Sequence, residues 1–417
     1  MSSNEPLPGP PEETGNSRPS PADNAHFSPP EEYEPTRPTD RDRAAPPLPP
    51  GWRPILDAPP SVIASKPKPP HPNLGFAILW MILFVIVSQG VGVAVAIVVI
   101  ILQLLLHAQD VEAYLKRMSD PAFASSAEFA PVLISAFFVA EVVSIALGWL
   151  VLRLVAGRDW TRQVALRRPG FAHVVFALLL FPAVVLVGEG MGELAKQLPL
   201  PHLVELEKFM EQVGNWPWWM AVLIIGFGPG IGEELWFRGF LGRGLVGHYG
   251  LIWGMVWTSL LFGIMHLEPV QIIYAPVIGF VLHYVYWTTR SLWLPMMLHL
   301  LNNSLGVLAT SRNVPGHWIF ERLDQSVHQV NHPALIYLGA MILLVTVGYA
   351  LYQSRARLEA DSPNGIPWRP SSPGVEYPPS LSGTHVVHPM PSPTMWGIAL
   401  AGALLFVAAC MAAVRIS

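Results

Sequence analysis

The chain has 417 residues, of which 52% are hydrophobic and only 13% are charged, and its mean hydropathy is +0.40. Soluble domains usually carry about 25% charged residues, so this composition indicates a membrane protein in contact with a lipid bilayer. The net charge of -4 provides no basic surface for nucleic acid, and the single cysteine, Cys410, excludes an intrachain disulfide.

The N-terminal segment, residues 1–72, holds about half of the 43 prolines together with charges of both signs. It has little apolar periodicity, so it cannot bury enough apolar surface to offset the entropy of ordering. We therefore predict a disordered Pro-rich tail. No signal peptide is predicted, because Met1 is not followed by a basic and then an apolar region.

From residue 74 onward the chain is strongly apolar, and runs close to the length of a membrane span recur along it. They predict about eight or nine transmembrane helices, at roughly 75–106, 130–153, 171–195, 217–243, 251–266, 272–289, 292–311, 334–353 and 394–414. The predicted fold is an all-α, polytopic membrane bundle at 73–353. A Pro-rich linker at 354–393 and an extra C-terminal transmembrane helix at 394–417 follow it.

Arginines in the loops predict the orientation of the bundle. The loop after the second run has Asp159 as its acid and contains Arg153, Arg158, Arg162, Arg167 and Arg168. By the positive-inside rule, the N-terminus, the 153–170 loop and the 354–393 segment are cytoplasmic. We therefore expect a multi-pass protein of the plasma (inner) membrane with a cytoplasmic N-terminus.

Ionisable side chains interrupt the fourth apolar run. Glu233, Glu234 and Arg238 lie there, and a charged group at the centre of a membrane costs about 2.5–3.5 kcal/mol or more, so it is rarely present without a purpose. Glu234 and Arg238 are four residues apart and can pair on a helix. Glu233 is rotated by about 100° and can face a cavity. The preceding Gly228-Pro-Gly is expected to kink or break this helix.

A second polar group, His266, ends the fifth run. Glu233 and His266 are symmetric about the turn His248-Tyr249-Gly250, so an antiparallel hairpin would place them at similar depth. Phe262 and His266 have i,i+4 spacing and share one helix face.

The seventh run contributes His299 and Asn303, which also share a face, with Asn302 beside them. His299 lies about two turns into its run, whereas His266 ends its own. Bringing the two imidazoles together is therefore expected to require a tilted helix or a re-entrant segment at Leu267–Pro276.

These residue types suit the hydrolysis of an amide bond. A carboxylate and an imidazole that share a water can deprotonate it as it attacks a carbonyl. A second imidazole and an amide can stabilise the oxyanion, by about 3–4 kcal/mol per donor. A zinc site held by Glu233, His266 and His299 is the alternative, although the usual His-Glu-x-x-His helix is absent. We favour the carboxylate, with no cofactor expected.

Three motifs resemble the signatures of the CPBP family, which comprises CAAX-type prenyl endopeptidases and bacteriocin-processing enzymes and is also called Abi. They are Glu233-Glu234-Leu-Trp-Phe-Arg238, Phe262-Gly-Ile-Met-His266 and His299-Leu-Leu-Asn302-Asn303. The resemblance covers about residues 130–310 and implies an intramembrane endopeptidase of the glutamate type. Its substrate would be a membrane-associated protein or peptide.

The resemblance also implies roles for the motif residues. Glu233 and His266 would activate water, while His299 and Asn303 would form the oxyanion site. Supporting positions would be Glu234, Arg238, Phe262 and Asn302.

Two other classes of function stay open. One is a non-catalytic membrane scaffold or a bacteriocin-immunity-type binding protein with the same fold. The other is a small-molecule transporter, which the lack of an internal repeat disfavours. The role of Glu141, in the middle of the second run, is also open: it can pair with a neighbouring helix or line the cavity.

Overall fold

The computed structural model of the chain describes residues 70–107, 110–120, 123, 126–201, 206–311, 313–320, 332–360 and 384–415. The predicted disordered tail lies outside the described residues up to residue 69. The middle of the predicted Pro-rich linker, residues 361–383, also lies outside them.

The described chain is built almost wholly of helices, which confirms the predicted all-α membrane bundle. In chain order the helices are α1 (Leu74–Leu106), α2 (Val111–Met118), α3 (Ala130–Val155), α4 (Trp160–Gln163), α5 (Phe171–Lys196), α6 (Leu206–Gly214), α7 (Trp218–Ala221), α8 (Gly228–Glu234), α9 (Arg243–Met265), α10 (Pro269–Thr289), α11 (Trp293–Thr310), α12 (Pro333–Gln353) and α13 (Pro393–Arg415). Two π-helical segments, Val222–Phe227 and Leu235–Gly242, connect α7, α8 and α9.

Among the described residues, 7 helices are long and apolar enough to cross a membrane. One of them, Trp218–Met265, has 48 residues and contains two of the predicted runs, because the chain turns within it at Gly250. Helix α11, predicted as a span, is not among the 7. Its polar residues, among them His299 and Asn303, lower the hydropathy of its 18 residues.

The predicted hairpin about Gly250 is present. Gly250 has φ 77° and ψ 175°, a backbone conformation that favours glycine. On either side of it the two arms lie against each other, and the ring centroids of Phe237 and Phe262 are 5.3 Å apart. Closer to the turn, Gly254 touches the backbone of Val246, where a Cβ at Gly254 would lie 2.5 Å from the Val246 Cα.

Helix α8 is held between α3 and α11. A Cβ at Gly232 would lie 3.1 Å from that of Ser144 on α3. On the other side, a Cβ at Gly230 would lie 3.1 Å from that of Leu300 on α11. Because glycine has no side chain, both neighbouring helices approach the backbone of α8 closely just before the paired carboxylates.

A short antiparallel sheet lies within the predicted Pro-rich linker. Strands β1 (Arg357–Ala360) and β2 (Thr384–Val387) pair with Leu358 opposite Val386. The backbone N–H of Ala356 donates to Thr288 O at 2.7 Å and ties this sheet to the end of α10. The prediction lacked these strands because their pairing is non-local and each is only 4 residues long.

The last residues of the predicted tail pack on the hairpin. Pro72 lies against Gly244 and Pro70 lies against Gly247. Between the two prolines, His71 accepts a hydrogen bond at Nε2 from the Trp80 indole at 2.9 Å. Within the described residues, Pro70 and Pro72 of the predicted tail therefore belong to the packed bundle.

Helix α13 adjoins α12 through small residues. A Cβ at Gly339 would lie 2.8 Å from that of Ala409, and Gly402 lies against the Thr346 side chain. The ring of Trp396 also lies 4.6 Å from that of Phe176 on α5. The extra C-terminal helix thus packs on the bundle.

We predict that Gly254→Ala destabilises the protein by about 1–3 kcal/mol, because the new methyl group would push the arms of the hairpin apart. Gly306→Ala is the matched control, since nothing lies within 4 Å of the position where its Cβ would be. In the control, the higher helix propensity of alanine should raise the free energy of unfolding by about 0.5–1 kcal/mol. Thermal unfolding in detergent measures both, and equal effects of the two substitutions would contradict close packing at Gly254.

We also predict that the packing of Pro70–Asn73 weakens as the pH falls below about 6.5, the ordinary pKa of histidine. Burial, and then the nearby His248, lower the pKa of His71. The undocked segment therefore takes up a proton first, and the imidazolium cannot accept the Trp80 hydrogen bond.

Hydrogen exchange of the amides at the start of α1, corrected for the intrinsic rate, measures this effect. Protection should be lower at pH 5 than at pH 8 in the wild-type protein. The His71→Asn variant has no ionisable side chain at position 71, so its amide protection should be the same at pH 5 and pH 8. Equal protection in the wild-type protein would disprove the prediction.

Candidate active site

The buried ion pair of Glu234 and Arg238 stands at the centre of the site. Arg238 Nη1 donates to Glu234 Oε1 at 2.5 Å, and both side chains are fully buried. Arg238 Nη2 donates to Gly279 O on α10 at 3.0 Å, and the Arg238 guanidinium lies 4.5 Å over the ring of Phe262. The predicted i,i+4 pair is thus present, and it also ties α8 to α10.

His299 contacts both adjacent glutamates. Its Nδ1 lies 2.8 Å from Glu234 Oε1, and because an ionised carboxylate only accepts hydrogen bonds, Nδ1–H is the donor. Its Nε2 lies 3.8 Å from Glu233 Oε2. Glu234 is therefore bound by Arg238 and His299 together, whereas the spacing alone had assigned it to Arg238.

The gap between Glu233 and His299 suits a bridging water. A separation of 3.8 Å exceeds a direct hydrogen bond, but a single water can reach both atoms. Glu233 Oε2 is buried and has no hydrogen-bond partner among the described residues. The carboxylate and the imidazole are thus placed to polarise one water molecule between them.

Of the two arrangements expected, a tilted helix or a re-entrant segment at Leu267–Pro276, the second is not observed. Helix α10 runs without a break from Pro269 to Thr289. His299 reaches the site because α11 lies antiparallel to α8, with Leu300 opposite Gly230 and His299 opposite Glu234. The positions of the two histidines within their own apolar runs contain no information about this packing.

His266 lies at the C-terminal end of α9, beside Phe262. Its Nδ1–H donates to Phe262 O at 2.8 Å. The Phe262 ring lies 5.0 Å from that of His266 and 5.8 Å from that of His299, so it contacts both imidazoles. The hydrogen bond of His266 Nδ1 therefore goes to the backbone and not to Glu233, leaving Nε2 for a substrate or water.

Asn303 bonds to the backbone of a neighbouring helix. Its Nδ2 donates to Ile225 O at 3.2 Å, and its Oδ1 accepts from Asn302 Nδ2 at 3.3 Å. Ile225 lies in the π-helical segment, and the residue four positions later is Pro229, which has no N–H. Asn303 thus supplies the donor that a regular helix would provide.

The predicted break at Gly228-Pro-Gly takes a milder form. The helix continues, with a π-helical segment ending at Phe227 and α8 beginning at Gly228. Single π-helical turns of this kind accommodate a missing hydrogen bond without ending the helix.

Glu141 lies beside this segment, and its role was left open by the sequence. Its side chain occupies the space where a Cβ of Gly228 would be. Glu141 Oε2 is buried without a hydrogen-bond partner among the described residues. Three carboxyl groups, those of Glu141, Glu233 and Glu234, therefore lie on or beside α8.

The residues proposed as zinc ligands are not arranged as a ligand set. Among the residues that the structure describes, no group of three or more His, Cys, Asp or Glu side chains is placed to hold a metal ion. The mechanism proposed below therefore uses no zinc.

Comparison with protein families gives one match. A family model described as type II CAAX prenyl endopeptidase Rce1-like matches residues 215–305. This range contains all three motifs, from Glu233 to Asn303, whereas Glu141 lies outside it. No curated protein and no solved structure matches the chain.

The match and the fold agree. The Rce1-like match falls on the helices that bring Glu233, Glu234 and His299 together. It supports a protease whose substrate is a membrane-associated peptide. The chain is thus an integral membrane protein in which residues 215–305 are similar to the Rce1-like family of type II CAAX prenyl endopeptidases, consistent with the CPBP family.

Proposed function

We propose that this protein is an intramembrane endopeptidase of the CAAX prenyl protease-like, glutamate type. It hydrolyses a peptide bond in a membrane-associated protein or peptide. The observation that carries the proposal is the buried cluster of Glu233, Glu234 and His299 inside the Rce1-like segment.

The hydrogen bonds of the cluster support different roles for its residues. Arg238 holds Glu234, and Glu234 fixes the proton of His299 on Nδ1, so that Nε2 presents its lone pair toward Glu233. Such a carboxylate–histidine arrangement sets the tautomer of the imidazole. Glu234 and Arg238 are in this view positioning residues.

The geometry supports the following reaction. A water held between Glu233 and His299 loses a proton to the Glu233 carboxylate as its oxygen attacks the scissile carbonyl. The tetrahedral oxyanion forms, the proton then moves from Glu233 to the leaving amine, and the C–N bond breaks. The proton lost by the water thus reaches the leaving amine, the electron pair of the C–N bond leaves with the nitrogen, and no covalent enzyme intermediate forms.

The resemblance implied His266 on the water and His299 on the oxyanion; with His299 on the water instead, stabilisation of the oxyanion falls to the remaining donors. Asn303 Nδ2 has two N–H bonds, and only one is needed for Ile225 O. The second can donate to the oxyanion, as the sequence-based hypothesis requires. His266 Nε2 can do so only in the imidazolium form.

Placement in the plasma membrane with a cytoplasmic N-terminus is part of the proposal. Ser291 Oγ donates to Arg167 O at 2.6 Å, and Ala356 N donates to Thr288 O at 2.7 Å. These bonds hold the arginine-bearing 153–170 loop and the segment after α12 at one end of the bundle. A common end for these arginines supports the positive-inside assignment.

We predict that Glu233→Gln lowers the rate of cleavage at least about 100-fold, since general-base catalysis contributes on that scale. The assay uses purified protein in liposomes with a panel of membrane-anchored peptides, prenylated and unprenylated. Glu193→Gln, on an exposed pair with Lys196, is the control and should retain full activity.

Two outcomes would revise the proposal. Cleavage that is unaffected by Glu233→Gln, in a variant that unfolds at the wild-type temperature, would rule out the proposed base and favour a non-catalytic binding protein. A chelator arm tests zinc: loss of activity on chelation and its return with Zn²⁺ would replace the carboxylate mechanism with a metal-assisted one.

We predict that Asn303→Ala destabilises the protein by about 1–3 kcal/mol, because Ile225 O is left without its donor. The same substitution in a Pro229→Ala background should be milder, since an alanine at that position supplies a backbone N–H to the Ile225 carbonyl. An equal loss of thermal stability in both backgrounds would show that Asn303 does not serve Ile225.

The double variant also separates structure from catalysis. If the second N–H of Asn303 acts on the oxyanion, Pro229→Ala/Asn303→Ala recovers stability but stays about 100-fold less active than Pro229→Ala alone. Recovery of both properties would assign Asn303 a structural role only.

A further inference from the structure

Helix α1 packs on the bundle through one of its faces. Its buried residues recur every three or four positions, at Ala77, Met81, Phe84, Ser88 and Gly92. This spacing marks one face of an α-helix, so the opposite face points away from the bundle. Ile86 and Val93 lie on that outer face and are 63% and 60% exposed. Because α1 is one of the apolar helices long enough to cross the membrane, its outer face lies against lipid.

The outer face also carries an amide, that of Gln89. Gln89 is exposed, and its side chain has no hydrogen-bond partner within the part of the chain that the structure describes. Gln103, near the end of the same helix, donates to Glu128 O at 2.9 Å and accepts from Tyr114 Oη at 3.0 Å. Of these two glutamines on α1, Gln89 is therefore the one whose amide is left to the lipid.

Gln89 lies deep in the membrane. It is close to the middle of α1, roughly 20–25 Å along the helix from either end. Nearby, Gly92 packs against the middle of α3, where a Cβ at Gly92 would lie 3.5 Å from that of Ala140. A glutamine side chain is too short to reach the headgroups from this depth. An amide without a partner in hydrocarbon is costly, so an arrangement that supplies a partner to Gln89 is favoured.

A second copy of the chain supplies such a partner. A primary amide contains both N–H donors and a carbonyl acceptor, so two glutamine side chains can bond to each other. Two copies inserted in the same orientation, and related by a two-fold axis along the membrane normal, place identical residues at the same depth. Gln89 of one copy then faces Gln89 of the other, whereas a different membrane protein would need a polar group of its own at this level.

The residues around Gln89 suit a pair of parallel helices. Ile82, Ile86, Gln89 and Val93 are all exposed and follow one another at spacings of four, three and four. Spacings that alternate in this way form the seam of a left-handed helix pair. The apolar members of the seam gain little by leaving lipid, because lipid chains are equally apolar, so the amide is the group that favours association.

The outer face of α13 provides a comparison within the same molecule. Leu400 and Leu404 are 59% and 61% exposed there. From Gly397 to Val414 this helix contains no hydroxyl, amide or charged side chain. The outer face of α13 therefore has no polar group that needs a partner, and contact with lipid satisfies it.

We propose that the outer face of α1, defined by Ile82, Ile86, Gln89 and Val93, is the contact surface for a second copy of this chain. The two Gln89 amides are hydrogen-bonded to each other across the two-fold axis. The proposal does not depend on the protease activity.

Cysteine cross-linking in liposomes that contain only the purified full-length protein tests this contact. Val93→Cys in a Cys410→Ser background keeps Gln89 and places a thiol one turn from it. Oxidation with copper phenanthroline should then convert most of the protein to a disulfide-linked dimer. The matched control, Leu400→Cys in the same background, lies on the outer face of α13 and should stay monomeric. The absence of a dimer with Val93→Cys, or equal yields at both positions, would overturn the proposal.

Energy transfer between copies labelled at the N-terminus, followed as the protein is diluted in lipid, measures the role of the amide. The Gln89→Leu dimer should dissociate at a protein-to-lipid ratio about tenfold higher than the wild-type dimer, the scale of one interhelical hydrogen bond. Gln89→Asn retains an amide and should associate within about threefold of wild type.

Equal association of Gln89→Leu and wild type, in protein that unfolds at the wild-type temperature, would also overturn the proposal. The Val93→Cys measurement leaves Gln89 unchanged, so it decides the contact independently of how the Gln89 variants fold.

Discussion

The buried ion pair of Glu234 and Arg238 is the interaction on which the site depends. Removing one partner of a buried pair typically costs about 3–5 kcal/mol, because the other charge is left uncompensated. Here the pair is also a junction: Arg238 reaches Gly279 on α10, and Glu234 reaches His299 on α11. The relative positions of α8, α10 and α11 are therefore set by one carboxylate and one guanidinium.

Two connections hold α11 against the helical stretch that carries the carboxylates. One is the bond from His299 to Glu234, and the other is the bond from Asn303 to Ile225. In a regular α-helix the Ile225 carbonyl would accept from residue 229, and Pro229 has no N–H to donate. Asn303 on the opposite helix donates to that carbonyl, so the two bonds together fix the register between the two helices.

Sequence reasoning succeeded where the geometry is local. The pairing of Glu234 with Arg238 follows from helix periodicity, and the hairpin follows from symmetry about Gly250. It failed where helices distant in sequence decide the outcome: the level of His299 depends on the antiparallel packing of α11 on α8. Similarly, β1 and β2 are short strands paired across more than twenty residues, and no local pattern indicates their partner.

The grouping of Glu141, Glu233 and Glu234 on and beside α8 has a consequence for selectivity. In a poorly solvated interior, like charges repel far more strongly than they do in water. A peptide with an aspartate or glutamate beside its scissile bond would bring another carboxylate toward the buried carboxyl groups of Glu141 and Glu233. Neutral or basic flanking residues meet no such barrier, so under the proposed function the same carboxyl groups would also select against acidic substrate sequences.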